Sequence, residues 1–131
     1  MAAQQRPLSP HLQVYKPQLT SVLSIVHRGT GVFLGISAFV FTAWLLSVAG
    51  GSAAFDLFNS MAASLPGKIV LLAITASLVY HLLNGIRHLL WDIGWGFELP
   101  KIYASGWIVL GLALVVTAVL AWLGLNAGGA A

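Results

Sequence analysis

I-V-L-L-A-I-T-A-S-L-V-Y-H-L-L-N-G-I-R-H-L-L-W-D, residues 69–92, begins as a continuous apolar run and ends among polar groups. A helix needs about 20 mostly apolar residues to cross the hydrocarbon core of a bilayer, and this segment is long enough. Yet two histidines, an asparagine, an arginine and an aspartate arrive within Tyr80–Asp92. The first half assigns the chain to a membrane. The second half asks why polar groups were placed there.

The remaining sequence agrees with a membrane setting. Of 131 residues, 59% are apolar and 7% charged, and the mean hydropathy is +0.92. Soluble domains carry roughly 25% charged residues. The length suits one domain, 1–131. With no cysteine, disulfides, cysteine-bound zinc and iron–sulfur clusters are excluded within the chain. The net charge of +3 comes from scattered residues that form no patch for nucleic acid; it reads as membrane topology.

The fold class expected is all-α with three transmembrane helices. A polar segment, 1–18, precedes a first helix over 20–49 whose membrane span covers about 29–49. The second span is 69–90, after the breaker Pro66-Gly67, and the third is 105–125, after Pro100. Between the first two lies a weakly polar loop, 50–67, and the tail from Gly124 is expected to fray. Trp107 and Trp122 stand about 22 Å apart on the last helix, a spacing that suits two interfacial aromatic belts. With the N-terminus inside, Arg6, Lys16, Arg28, Arg87 and Lys101 lie on the inner side and only Lys68 on the outer. That bias places the N-terminus in the cytoplasm and the C-terminus outside. The N-terminus has no secretory signal, and its initiator Met favours a bacterial inner membrane over a mitochondrial one.

At 100° per residue, Ser77, His81, Gly85, His88 and Asp92 form one stripe on the second helix, with Arg87 away from it near Tyr80 and Trp91. Ser24, His27, Arg28, Gly31 and Gly35 share a face of the first, where Gly31 and Gly35 make a small-xxx-small pattern permitting close approach. His81 lies roughly 15 Å above the inner end of its helix, deep enough to be a functional-site hypothesis. A neutral imidazole there suits a metal. His88 is about 10.5 Å further along the axis, whereas two axial ligands of one haem iron sit about 4 Å apart, given iron–nitrogen distances near 2 Å. His27 precedes the first span on this reading, so no histidine in the chain matches His81 in depth, and a second axial ligand would come from another chain. Blander readings stand beside these. A buried histidine can hydrogen-bond a carbonyl; Arg28, Arg87 and His88 can be topogenic; Asp92 can pair with Arg28 or Lys101; and glycine stripes often serve packing alone.

R-P-L-S-P-H-L-Q-V-Y (6–15), S-I-V-H-R-G-T-G (24–31) and H-x-x-x-G-I-R-H-x-x-W-D (81–92) resemble the cytochrome b subunit of succinate dehydrogenase, respiratory complex II, in order and over essentially the whole chain. The resemblance implies a haem b shared with a second membrane-anchor subunit, and an assembly with flavoprotein and iron–sulfur subunits that passes electrons from succinate to ubiquinone. It implies that His81 is the axial ligand of the haem iron and that His27 and Arg28 meet the haem propionates, with His88 and Arg87 as further partners. It also implies that Ser24 and Arg28 line the quinone pocket and that Asp92 delivers protons. This chain would have no succinate-oxidising activity alone. A fumarate reductase anchor using menaquinone, and a haem-free structural anchor, are the alternatives.

Overall fold

A computed structural model describes residues 16–127. The motif at 6–15, with Arg6, lies outside the described residues, as does His11. Four helices follow in order: α1 Leu19–Ala49, α2 Ser52–Ala63, α3 Leu65–Asp92 and α4 Leu99–Ala127. Three of them, α1, α3 and α4, are long and apolar enough to cross a membrane. The protein is therefore an all-helical membrane protein with three candidate spans.

Local chemistry moves the helix ends outward from their expected places. Pro66 lies inside the first turn of α3, and Pro100 is the second residue of α4. Neither breaks its helix, because a first-turn residue has no intrahelical acceptor for the N–H that proline lacks. Ser64 caps α3, its hydroxyl accepting from the Gly67 N–H at 3.2 Å. At the other end α4 continues to Ala127 instead of fraying from Gly124; Asn126 donates to the Trp122 carbonyl at 2.7 Å.

The segment expected to be a loop contains α2. Its apolar residues Ala54, Phe58 and Ala62 are half-buried, while Asp56, Asn59 and Ser60 are exposed. That 3.6-residue alternation is short and was masked in sequence by alanine and serine. The turn joining α2 to α3 is unusually tight. A Cβ on Gly67 would overlap the Met61 carbonyl and lie 2.7 Å from that of Ala62. Both obstacles are backbone, so neither can swing away. Gly67→Ala should destabilise the assembled protein by about 1–3 kcal/mol, read as a lower thermal midpoint; an unchanged midpoint would contradict the tight turn.

The bundle holds together over a small area. Leu23, Val79, Tyr80, Val109 and Ala113 form its core, with Leu19, Leu83 and Leu110 packed against it. Gly106 lets α1 approach α4: a Cβ there would meet Leu23 at 3.0 Å and Leu19 at 3.1 Å. Tyr80 crosses from α3 to donate to the Leu23 carbonyl at 2.7 Å. Elsewhere the helices show apolar side chains outward, including Phe39 at 77% and Leu114 at 73% exposure. Lipid or other membrane helices can cover such faces without cost, since acyl chains are as apolar as leucine. Trp107 and Trp122 are also outward, as aromatic belts require.

Candidate functional site

The polar stripes of α1 and α3 meet. His27 and His81 stack face to face, with ring centroids 3.9 Å apart and planes within 8°. His88 joins from two turns further along α3, its ring centroid 5.2 Å from that of His27. This overturns the expected depth ordering, in which His27 lay outside the span and had no counterpart to His81. The reason is register. α1 extends about 46 Å at 1.5 Å per residue, longer than a bilayer core, so its position against α3 is set by contacts and not by where its apolar stretch begins.

Glycines make the approach possible. A Cβ on Gly31 would stand 3.0 Å from His81 Cε1, and one on Gly85 would stand 3.7 Å from His27 Cε1. Gly31 therefore gives the His81 ring its clearance, while Gly35, at the other end of the small-residue pattern, faces open space. His81 Nδ1 lies 3.1 Å from the His27 carbonyl. A carbonyl only accepts, so Nδ1 carries the proton and Nε2 keeps its lone pair. Nε2 makes no hydrogen bond and is open at the protein surface. The carbonyl contact expected of a merely structural histidine and the bare nitrogen expected of a ligand coexist, because they use opposite ring atoms.

The stack also bears on iron. Two trans ligands point their lone pairs at each other across the metal. Parallel stacked imidazoles instead point them side by side in separate planes. His27 and His81 as arranged cannot be the axial pair of one iron, and among the described residues no group of three or more His, Cys, Asp or Glu could hold a metal ion. His27 Nδ1 is buried and without a hydrogen-bond partner. A buried orphan of this kind calls for an explanation, and it fits a site completed by a group from outside the chain.

Arg87 is not with them. It is 4% exposed and turned toward α4, where its Nε donates to Ser105 Oγ at 2.9 Å and its Nη2 to the Ile102 carbonyl at 2.9 Å. Its Nη1 reaches Asn84 Oδ1 at 3.4 Å, and the guanidinium lies 4.0 Å from the Trp91 ring centroid. The side chain expected beside the propionates is committed to joining α3 to α4. Arg87→Ala should cost about 2–4 kcal/mol, from hydrogen bonds of a charged donor and a cation–π contact, with Arg87→Lys recovering little because it lacks the planar fork. Thermal unfolding of the solubilised protein measures both; equal stability of all three would contradict this role.

Ser24 and Arg28 lie together, Arg28 Nε donating to the Ser24 carbonyl at 3.4 Å. With Thr20, Ser21 and Ile25 they line an open depression of about 350 Å³ on the side of α1. Every lining residue belongs to one helix, so other protein or lipid must form the opposite wall. Asp92 ends α3, exposed, and pairs with neither Arg28 nor Lys101. The one ion pair among the described residues joins Lys101 to Glu98 at 3.1 Å. The Glu98 carboxyl is held below its usual range by its own backbone N–H and then by Lys101.

Three participants were not identified from sequence. Asn84, fully buried, contacts His88 Nε2 at 3.3 Å; its spacing of four from His88 was the available signal. Ser105 and Thr30 gave none, because their partners lie on other helices.

Comparison with known proteins adds the following. The family described as "Succinate dehydrogenase/Fumarate reductase transmembrane subunit" matches residues 2–120. The chain is 43% identical over 115 residues to the succinate dehydrogenase cytochrome b556 subunit of Rickettsia prowazekii, covering 88% of this chain and 90% of that protein. It is also 43% identical over 126 residues to the mitochondrial succinate dehydrogenase cytochrome b560 subunit of Mus musculus, covering 93% and 70% respectively. A Marchantia polymorpha b560 subunit is 43% identical over 111 residues, 80% of each chain.

Proposed function

Since the chain belongs to the succinate dehydrogenase/fumarate reductase transmembrane subunit family, we propose that it is the cytochrome b anchor of succinate:quinone oxidoreductase. On this reading a flavoprotein subunit oxidises succinate, an iron–sulfur subunit conducts the electrons, and this chain with a second membrane anchor holds both at the bilayer and forms part of the quinone site. The setting is a bacterial inner membrane, with the N-terminus inside.

The single observation that carries the haem assignment is the His81 imidazole, with Nδ1 tied to a backbone carbonyl and Nε2 bare at the surface. This is the form in which histidine ligates metals. A b-type haem bound there supplies a one-electron redox centre. His81 would hold the iron, with a further ligand supplied by the second anchor subunit. His27 and Arg28 face the propionates, with His88 adjoining them; Arg87 is withdrawn from that role because its donors are engaged on α4. Ser24 and Arg28 donate hydrogen bonds to a quinone carbonyl, which favours negative charge developing there on reduction. Asp92, unpaired near the inner surface, is suited to carry protons to the same site.

The test is the reduced-minus-oxidised spectrum of membranes carrying the whole complex with His81→Ala, in which a persisting b-type band would overturn the assignment. The family also includes fumarate reductases; assay of the purified complex with quinones of high and low potential distinguishes the two directions.

A further inference from the structure

His81 has two ring nitrogens, and the proposed function uses one. The other sits in a small closed network. Nδ1 lies 3.1 Å from the His27 carbonyl and 3.2 Å from Thr30 Oγ1, while Thr30 Oγ1 lies 2.9 Å from that same carbonyl. The carbonyl accepts from both. The Thr30 proton is thereby committed to it, and the hydroxyl presents a lone pair to Nδ1–H. The stack on His27 already limits the ring plane, and two acceptors on one turn of α1, where one would set only a direction for Nδ1–H, narrow the remaining pivot about the Cβ–Cγ bond. Gly31 supplies the clearance, since a Cβ there would approach Cε1 to 3.0 Å.

We propose that Thr30 is the positioning residue of the haem ligand: its hydroxyl holds His81 in the tautomer with Nε2 bare and strengthens that nitrogen as a donor to iron. The proposal rests on His81 being the ligand. An acceptor facing Nδ1–H pushes electron density toward Nε2, which stabilises the higher oxidation state of a bound metal and tightens its attachment. Groups of this kind typically change metal affinity 10- to 100-fold when removed.

The experiment uses the intact complex with Thr30→Val, Thr30→Ala and Thr30→Ser, beside His81→Ala. Two quantities are read, neither of them turnover: the rate of haem transfer to excess apomyoglobin, and the ratio of reduced to oxidised haem at a fixed ambient potential. Val and Ala should release haem roughly tenfold faster and raise the reduced fraction, with a ratio change of about threefold, the size of one weakened hydrogen bond. Ser should match the parent in both. Val and Ala indistinguishable from the parent would overturn the proposal alone. So would Ser as defective as Val, because a side chain that keeps the hydroxyl would then restore nothing. Haem retained in His81→Ala would overturn the ligand assignment and this proposal together. Two apolar variants keep the result readable if one fails to assemble.

Discussion

Membranes carrying His81→Ala should lose the b-type haem band entirely while keeping the assembled anchor detectable. The substitution removes the imidazole whose Nδ1 is tied to a backbone carbonyl and whose Nε2 is left bare, and neither neighbour is placed to replace it. His27 is stacked on His81 with its ring parallel, so its lone pairs address a different plane. His88 lies about 10.5 Å further along the axis of the same helix and contacts Asn84. An imidazole ligand that is lost outright cannot be compensated by propionate contacts, which hold the rim of the group and not its metal. Immunodetection of the subunit beside the optical spectrum separates haem loss from protein loss. A normal band with normal subunit content would mean that the iron is held elsewhere.

Arg28→Ala should lower kcat/KM for quinone by about 10- to 100-fold, the scale of one charged hydrogen bond worth roughly 1.5–3 kcal/mol. Succinate oxidation by an artificial dye that bypasses the membrane site should be unchanged. The side chain is exposed and its one hydrogen bond is a long contact to the carbonyl one turn earlier, so most of its donors remain for a ligand. Exposure also means that its removal leaves no buried cavity. This contrasts with Arg87→Ala, which should act on stability: the two arginines take opposite roles because only Arg87 has its donors satisfied within the fold. Equal loss of dye-linked and quinone-linked activity in Arg28→Ala would point to failed assembly and away from a quinone contact.

The contrast between those arginines marks how far the sequence could be read. On a helical wheel Arg87 falls away from the histidine stripe, beside Tyr80 and Trp91, and that placement is realised. What faces that side could not be inferred, because Ser105 and Ile102 belong to α4 and nothing in either sequence segment names the other. Thr30 escaped notice for the same reason. Its partner on α3 is 51 residues away, and a threonine in a membrane helix ordinarily bonds its own backbone, as Thr42 and Thr75 do. Helix α2 was missed on different grounds, since twelve residues of mixed small side chains carry little periodic signal.

Composition and the order of apolar and polar residues determined the membrane setting and the three long helices, because a chain in hydrocarbon must satisfy its backbone polarity within helices; the same order gathered the polar side chains of Tyr80–Asp92 at one end of a span. Periodicity determined which residues share a face. Tertiary structure decided the register between helices, which no local pattern encodes. That register brought His27 to the level of His81, fixed the tautomer through Thr30 and the His27 carbonyl, and turned Arg87 inward. Helices in lipid associate through close packing and interhelical hydrogen bonds, not through burial of apolar surface from water. Their alignment therefore depends on a few contacts such as Gly31 against His81 and Gly106 against Leu23, which exist only once the bundle has formed.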